Sequence, residues 1–221
     1  MSQPEIHGML FDLDGTLADT APDLALALNR TLEHFGQPTL PFEAIRPVVS
    51  HGGMALIRRG FAMEPDEEGF EERRQYLLDQ YLDNICAQTR LFPGMDQVVR
   101  QLCQKEIPWG IVTNKPAWLT NPLMAALPMP CTTEVIISGD TLPQRKPHPA
   151  PLLLAAQQLD LAPGHCLYVG DAERDIEAGR AAGMSTACAL FGYLQEQDRP
   201  EDWQADFRLQ RPEELLRLLP G

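Results

Sequence analysis

Positive charge is scarce in this chain. Eighteen lysines and arginines stand against 31 aspartates and glutamates, a formal net charge of −13. Such a surface has no basic face to neutralise phosphates, which argues against nucleic acid or an anionic membrane as a main partner. Long hydrophobic runs are also lacking. The longest uncharged stretch, between Lys115 and Glu134, is broken by Pro116, Pro122, Pro128 and Pro130 and cannot span a membrane. No basic segment leads into an apolar one near the start, so no signal peptide is expected. Cysteine is sparse. Cys86, Cys103, Cys131, Cys166 and Cys188 are odd in number, widely spaced and without a C-x-x-C, which predicts buried thiols rather than a disulfide framework or a zinc site. Internal repeats and low-complexity linkers are absent. A soluble, cytoplasmic protein is the expectation.

The 221 residues present suffice for a core domain carrying a smaller one. Short apolar runs at 6–12, 107–114, 134–140, 165–171 and 185–191 read as strands, and four of the five finish in Asp, Thr-Asn or Gly-Asp. Helical patterns at 94–105, 117–127, 149–159, 173–182 and 212–219 fill the gaps. Strands interleaved with helices predict an α/β fold with a doubly wound parallel sheet. In such sheets ligands bind beyond the carboxyl ends of the strands, where these polar residues fall.

Residues 20–90 break the alternation. Thr20-x-x-Asp23 reads as a capping box, Gly36 as the end of the helix, and Leu24, Leu28, Leu32 and Phe35 as its apolar stripe. Phe70, Leu77, Leu78, Tyr81, Leu82 and Ile85 form a second apolar face, with Glu67, Glu68, Glu71, Glu72 and Asp79 outside it. The expected organisation is a core of residues 1–19 and 91–221, with residues 20–90 a small helical cap inserted after the first strand and set over the crevice.

Chemistry gathers in four places. Asp12 and Asp14 end the first strand, and residues i and i+2 of a strand share a side. One could attack phosphorus while the other moves protons, although Asp-Gly is also ordinary turn chemistry. Asp171 and Asp175, four apart at a helix start, either serve the helix dipole or join the first pair. Four carboxylates in one crevice would repel and call for a cation, and hard oxygen ligands select Mg²⁺. Lys146 is either a surface lysine or the ammonium that such a site needs. Thr113 and Asn114 could bind phosphoryl oxygens or cap the helix that follows.

Together these residues resemble the haloacid dehalogenase superfamily of aspartate-nucleophile phosphatases. All four of its motifs occur in order: "DLDGT" at 12–16, "TN" at 113–114, Lys146, and "GDAERD" at 170–175. The insertion looks like the helical cap of the subgroup containing phosphoglycolate phosphatases. The resemblance implies Asp12 as nucleophile and Mg²⁺ ligand. It implies Asp14 as acid, then base, with its backbone carbonyl on the metal. Thr113 and Asn114 would bind the phosphoryl group, Lys146 would pair with Asp12 and the phosphate, and Asp171 and Asp175 would complete the metal site. An acid at Asp14 favours phosphate esters over the halogenated substrates of hydrolytic relatives.

Substrate choice is expected to lie in "SHGGMALIRR" (50–59), with His51, Gly52 and Gly53 the specificity positions and Arg58 or Arg59 available for an acid. The subgroup implies a small-molecule phosphate ester, 2-phosphoglycolate first. N-acetylmuramic acid 6-phosphate follows nearly level. A phosphomutase of the same fold is the rival reading, and a phospho-accepting signalling receiver or a non-catalytic binding protein stands behind it.

Overall fold

The computed structural model describes residues 5–219. Its first strand, β1 (Gly8–Phe11), is buried throughout: Met9 and Phe11 enter one apolar cluster and Leu10 the other. Burial on both faces belongs to an interior strand of a parallel sheet. The chain then leaves the sheet through β2 (Ala18–Asp19) into four helices, α1 (Ala21–His34), α2 (Phe42–Ile45), α3 (Gly52–Phe61) and α4 (Phe70–Asp83), with a 3₁₀ turn at Arg46–His51. It returns through β3 (Arg90–Leu91), antiparallel to β2 with Ala18 opposite Leu91. Both crossings are therefore made at one two-residue ribbon.

Beyond the ribbon, strand and helix alternate as expected: α5 (Met95–Gln104), β4 (Trp109–Val112), α6 (Ala117–Ala126), β5 (Ile136–Ile137), α7 (Ala150–Gln158), β6 (Cys166–Gly170), α8 (Glu173–Ala181) and β7 (Ser185–Ala189). With an edge strand β8 (Phe207–Leu209), the six-stranded sheet has the order β5-β4-β1-β6-β7-β8, all parallel, with Phe11 in register with Ile111 and Val169. Apolar residues of α5 and α6 share a cluster with Met9 and Phe11, while those of α7 and α8 join Leu10. The sheet is thus wound on both faces. The apolar side chains of α1, α3 and α4 belong to the first cluster, so the helical segment packs continuously onto the sheet side.

Several local expectations need correction. The edge strand β8 (Phe207–Leu209) was not anticipated, being too short to show a period. The last predicted helix is a 3₁₀ helix over Pro212–Arg217. Thr20 does not cap α1: its hydroxyl goes to Asp14, and Asp23 accepts from Gln88 and Thr89 instead. Leu82 is exposed and Ile85 half-buried, whereas Phe70, Leu77, Leu78 and Tyr81 are buried as predicted. Cys103 and Cys131 are paired as a disulfide with Cα atoms 6.6 Å apart, against the expectation of free thiols. Pairing of positions 28 apart cannot be read from spacing alone. Among the described residues no helix is long and apolar enough to cross a membrane.

Candidate active site

The site begins where β1 stops. Asp12 N–H still donates to Val169 O (2.8 Å), keeping Asp12 level with the end of β6, and the chain then turns at Gly15. Gly15 has φ +88°, and a Cβ there would strike the Asp171 carboxylate. Glycine is required on both counts. The turn thereby presses the first acidic motif against the second.

Asp12, Asp171 and Asp175 are buried, and each offers a carboxylate oxygen within 4.8 Å of the others. Lys146 Nζ lies 2.9 Å from Asp12 Oδ1 and 2.8 Å from Asp175 Oδ1. It also reaches Val112 O (2.8 Å) and the Tyr168 hydroxyl (2.7 Å). Asp171 Oδ2 accepts from the Ser50 hydroxyl (2.7 Å) and Tyr193 N–H (2.9 Å), but Asp171 Oδ1 is buried with no partner among the described residues.

The electrostatics follow from this crowding. Burial, offset in part by Lys146, raises the proton affinity of Asp12. Burial, then the neighbouring Asp12 and Asp175, pushes Asp171 up to about 7. Asp175 is also desolvated, yet Lys146, Arg174 and hydrogen bonds outweigh burial and hold it below the usual carboxylate range. Three converging acids, one lysine and an unpartnered buried carboxylate oxygen are a donor set that fits a hard divalent cation. Asp12 and Asp171 have oxygens to offer. Asp175 already spends both, one on Lys146 and Tyr168 and the other on Ala172 N–H.

Asp14 does not converge with the other three. Its carboxylate turns to Lys115 Nζ, at 2.8 and 3.2 Å, and accepts from the Thr20 hydroxyl at 2.6 Å. Only its backbone carbonyl stays near the cluster, 3.4 Å from Ser50 Oγ. The four-acid crowding expected from the sequence is thus a three-acid cluster with a separate ion pair beside it. Lys115 is enclosed, with 7% of its side chain exposed, and its ammonium lies 4.6 Å from the centre of the Tyr81 ring of α4. Burial works against that charge, but Asp14 and Tyr81 outweigh it and raise the lysine's proton affinity.

Asn114 is placed differently from expectation. Its amide donates to Lys146 O (2.9 Å) and accepts from Lys146 N–H (3.1 Å), bracing the residue that carries the central ammonium. Thr113, which precedes it at the end of β4, is buried. Both residues line a cavity of about 420 Å³ with Asp12 and Asp14.

The helical segment closes the other side of this cavity. Leu24, Val49, Met54 and Leu78 form an apolar wall, and His51, Gly52 and Gly53 sit at its edge. His51 lies 2.6 Å from Gln195 Nε2 and 3.4 Å from Arg174 Nη1, and burial, then Arg174, lowers its proton affinity. Arg174 also donates to Ser50 O (2.7 Å) and Arg46 to Gly192 O (3.1 Å), so the 46–51 loop is fastened to the core. Arg58 and Arg59 point elsewhere, to Glu64 and Ala44 O. The cavity's own cations are Lys115, Arg74, Arg145 and Arg174.

Sequence reasoning missed Ser50, Lys115, Tyr81, Arg174 and Tyr193. Lys115 directly follows Thr-Asn and Arg174 lies inside "GDAERD", so position alone could have raised both. Nothing local marks Ser50 or Tyr193, which reach the site through tertiary contacts from 121 and 22 residues away.

Comparison with known proteins places the chain among its relatives. The chain is 43% identical to a phosphoglycolate phosphatase of Xanthomonas campestris pv. campestris over 95% of its own length and 94% of that protein. It is 38% identical to an N-acetylmuramic acid 6-phosphate phosphatase of Pseudomonas putida, over 97% and 96% of the two chains. The crystal structure of a predicted phosphoglycolate phosphatase from Haemophilus somnus 129pt superimposes with a TM-score of 0.85 at 26% identity, covering 98% of this chain and 99% of that one. Residues 9–189 match the model of the haloacid dehalogenase-like hydrolases, and the chain belongs to that family.

Proposed function

We propose that this hydrolase is a Mg²⁺-dependent phosphatase acting on a small phosphorylated carboxylic acid, with 2-phosphoglycolate the leading substrate. The observation that carries the reading is the buried Asp12 carboxylate beside Lys146, opening on a cavity with Asp171 and Asp175 within reach. Asp12 attacks phosphorus: its bond to phosphorus forms as the ester P–O bond breaks, and Asp14 gives the leaving oxygen a proton. Asp14 then takes a proton from water, whose oxygen displaces the Asp12 carboxylate and releases phosphate. Lys146 holds Asp12 in line and screens its approach to an anion. Thr113 and the Asn114 N–H bind the phosphoryl oxygens.

Asp12, the Asp14 carbonyl, Asp171 and, directly or through water, Asp175 would hold Mg²⁺. Bound there, the cation supplies charge neutralisation and Lewis-acid polarisation of the phosphoryl group. Residues 20–90 serve as the cap and the remainder as the core. His51, Gly52 and Gly53 shape the mouth of the cavity.

One observation favours the second reading, N-acetylmuramic acid 6-phosphate. A cavity of about 420 Å³ with an apolar wall has more room than a two-carbon acid fills. The deciding experiment compares phosphate release from the two esters as kcat/KM, with Mg²⁺ and with chelator. A preference of about 100-fold assigns the substrate. Stoichiometric return of the phosphoryl group to a sugar would instead reveal a mutase.

A further inference from the structure

Asp14 is engaged in a way that its acid role does not use. Both carboxylate oxygens face the Lys115 ammonium, and Thr20 donates a further bond. A carboxylate so held is turned to the ammonium rather than to an ester oxygen. Tyr81 stands beside this pair, and its fully buried hydroxyl has no hydrogen-bond partner among the described residues. Buried polar atoms are rarely left so without reason. Lys115, Tyr81 and Asp14 all line the same cavity.

An enclosed ammonium and an orphaned hydroxyl side by side on a cavity wall have the chemistry of a carboxylate receptor: one charged donor and one neutral donor. We propose that Lys115 and Tyr81 form the subsite for the substrate's carboxylate. Filling it draws Lys115 from Asp14, which is then free to take up a proton from water and turn to the leaving oxygen. The inference rests on the phosphatase reading above, in which Asp14 serves that oxygen. No covalent step is added; one ion pair is exchanged for another.

The exchange restricts the substrate. Its carboxylate must lie near the ester oxygen, because the lysine that binds the one is the lysine that releases the acid for the other. In a phosphorylated 2-hydroxy acid a single carbon separates the two groups. In N-acetylmuramic acid 6-phosphate the sugar ring and a lactyl ether intervene. The subsite therefore selects 2-phosphoglycolate and its close analogues. Arg145 also lines the cavity, but among the described residues only Lys115 pairs with Asp14.

The test is steady-state kinetics of the Mg²⁺-loaded protein on 2-phosphoglycolate and on ethyl phosphate, which lacks the carboxylate. Wild type is expected to show a kcat ratio of about 100-fold or more in favour of the acid. In Lys115→Met that ratio falls at least about tenfold, chiefly through a gain on ethyl phosphate because nothing then holds Asp14, while KM for the carboxylated ester rises, and Lys115→Arg recovers part of the ratio. Tyr81→Phe removes one oxygen, lowers the ratio several-fold, and serves as the check if Lys115→Met does not fold. Equal losses on both esters in the two variants would overturn the subsite, as would a ratio that collapses in Arg145→Gln instead. A wild type that treats both esters alike defeats the subsite and leaves the phosphatase reading standing. No phosphate release from either ester removes the reading and the subsite together.

Discussion

Two enclosed lysines pair with two aspartates that are one residue apart in the chain, and they are held in opposite ways. Lys146 is fixed wholly by the sheet and its helix, through Asp12, Asp175, Val112 O and Tyr168. It has more acceptors than protons. Lys115 stands between the end of β1 and the helical segment, with Asp14 on one side and the ring of Tyr81, from α4, on the other. One ammonium is locked in place; the other has a single ionic partner among the described residues, the one that the proposed subsite exchanges for the substrate's carboxylate. In the proposed mechanism, chemistry common to every ester sits just beyond the strand ends, and chemistry that responds to one ester sits beside the helical segment.

The largest break in this comparison comes at its fixed end. Asp12→Asn is expected to lower turnover by at least about four orders of magnitude, because the amide is a poor nucleophile of the same shape. Without Mg²⁺ its melting temperature should equal or exceed that of wild type, since a costly buried charge is gone. Full activity in a clean preparation would sink the nucleophile assignment. Chelation of Mg²⁺ comes next, with an expected loss of about a thousandfold in phosphate release, restored by adding the ion back. Equal rates with and without it would undo the case for a cation at Asp12 and Asp171.

Stability should separate the two lysines. Lys146→Met leaves Asp12 and Asp175 facing each other in the interior and is expected to cost about 3–5 kcal/mol in urea unfolding. Lys115→Met leaves Asp14 without its ammonium but opening onto the cavity, where water can reach it, for a smaller loss of about 1–3 kcal/mol. Equal losses would erase the distinction between a locked and a replaceable ammonium.

A further effect is one of pH. Burial and its acidic neighbours raise Asp171 to about 7, so the folded metal-free protein binds that proton more tightly than the unfolded chain does. Its contribution is fully present below about pH 4 and is lost as pH rises through 7. Thermal melts should show that decline without Mg²⁺, and a larger gain on adding Mg²⁺ at pH 8 than at pH 5. A gain independent of pH would mean that Asp171 is not where the ion binds.

Much of this was legible in the sequence because strand ends bear their chemistry locally. An apolar run that ends in Asp-x-Asp-Gly reports its fold and its charge within a few residues, and the five predicted strands fall within their predicted runs. Motif order then places Lys146 and the second acidic pair. What failed was side-chain direction once the strand had ended. Period-two reasoning sent Asp12 and Asp14 to one point, but β1 stops at Phe11, and in the turn beyond it Asp14 swings to Lys115. Thr20 shows the same limit. Its spacing to Asp23 fits a capping box, yet a stronger acceptor, Asp14, takes the hydroxyl. Short elements such as β8 carry too few residues to show a period at all.

Ser50 joins two equilibria that would otherwise be separate. Its hydroxyl, carried by the 46–51 loop, donates to Asp171 on one oxygen while the other oxygen stands unpartnered. Any ion that alters the charge on Asp171 must alter the strength of that bond, and thermodynamic reciprocity requires the loop to alter the ion's affinity by the same factor. Affinity for an ion at Asp171 is then a property of the 46–51 loop as well as of the acids themselves.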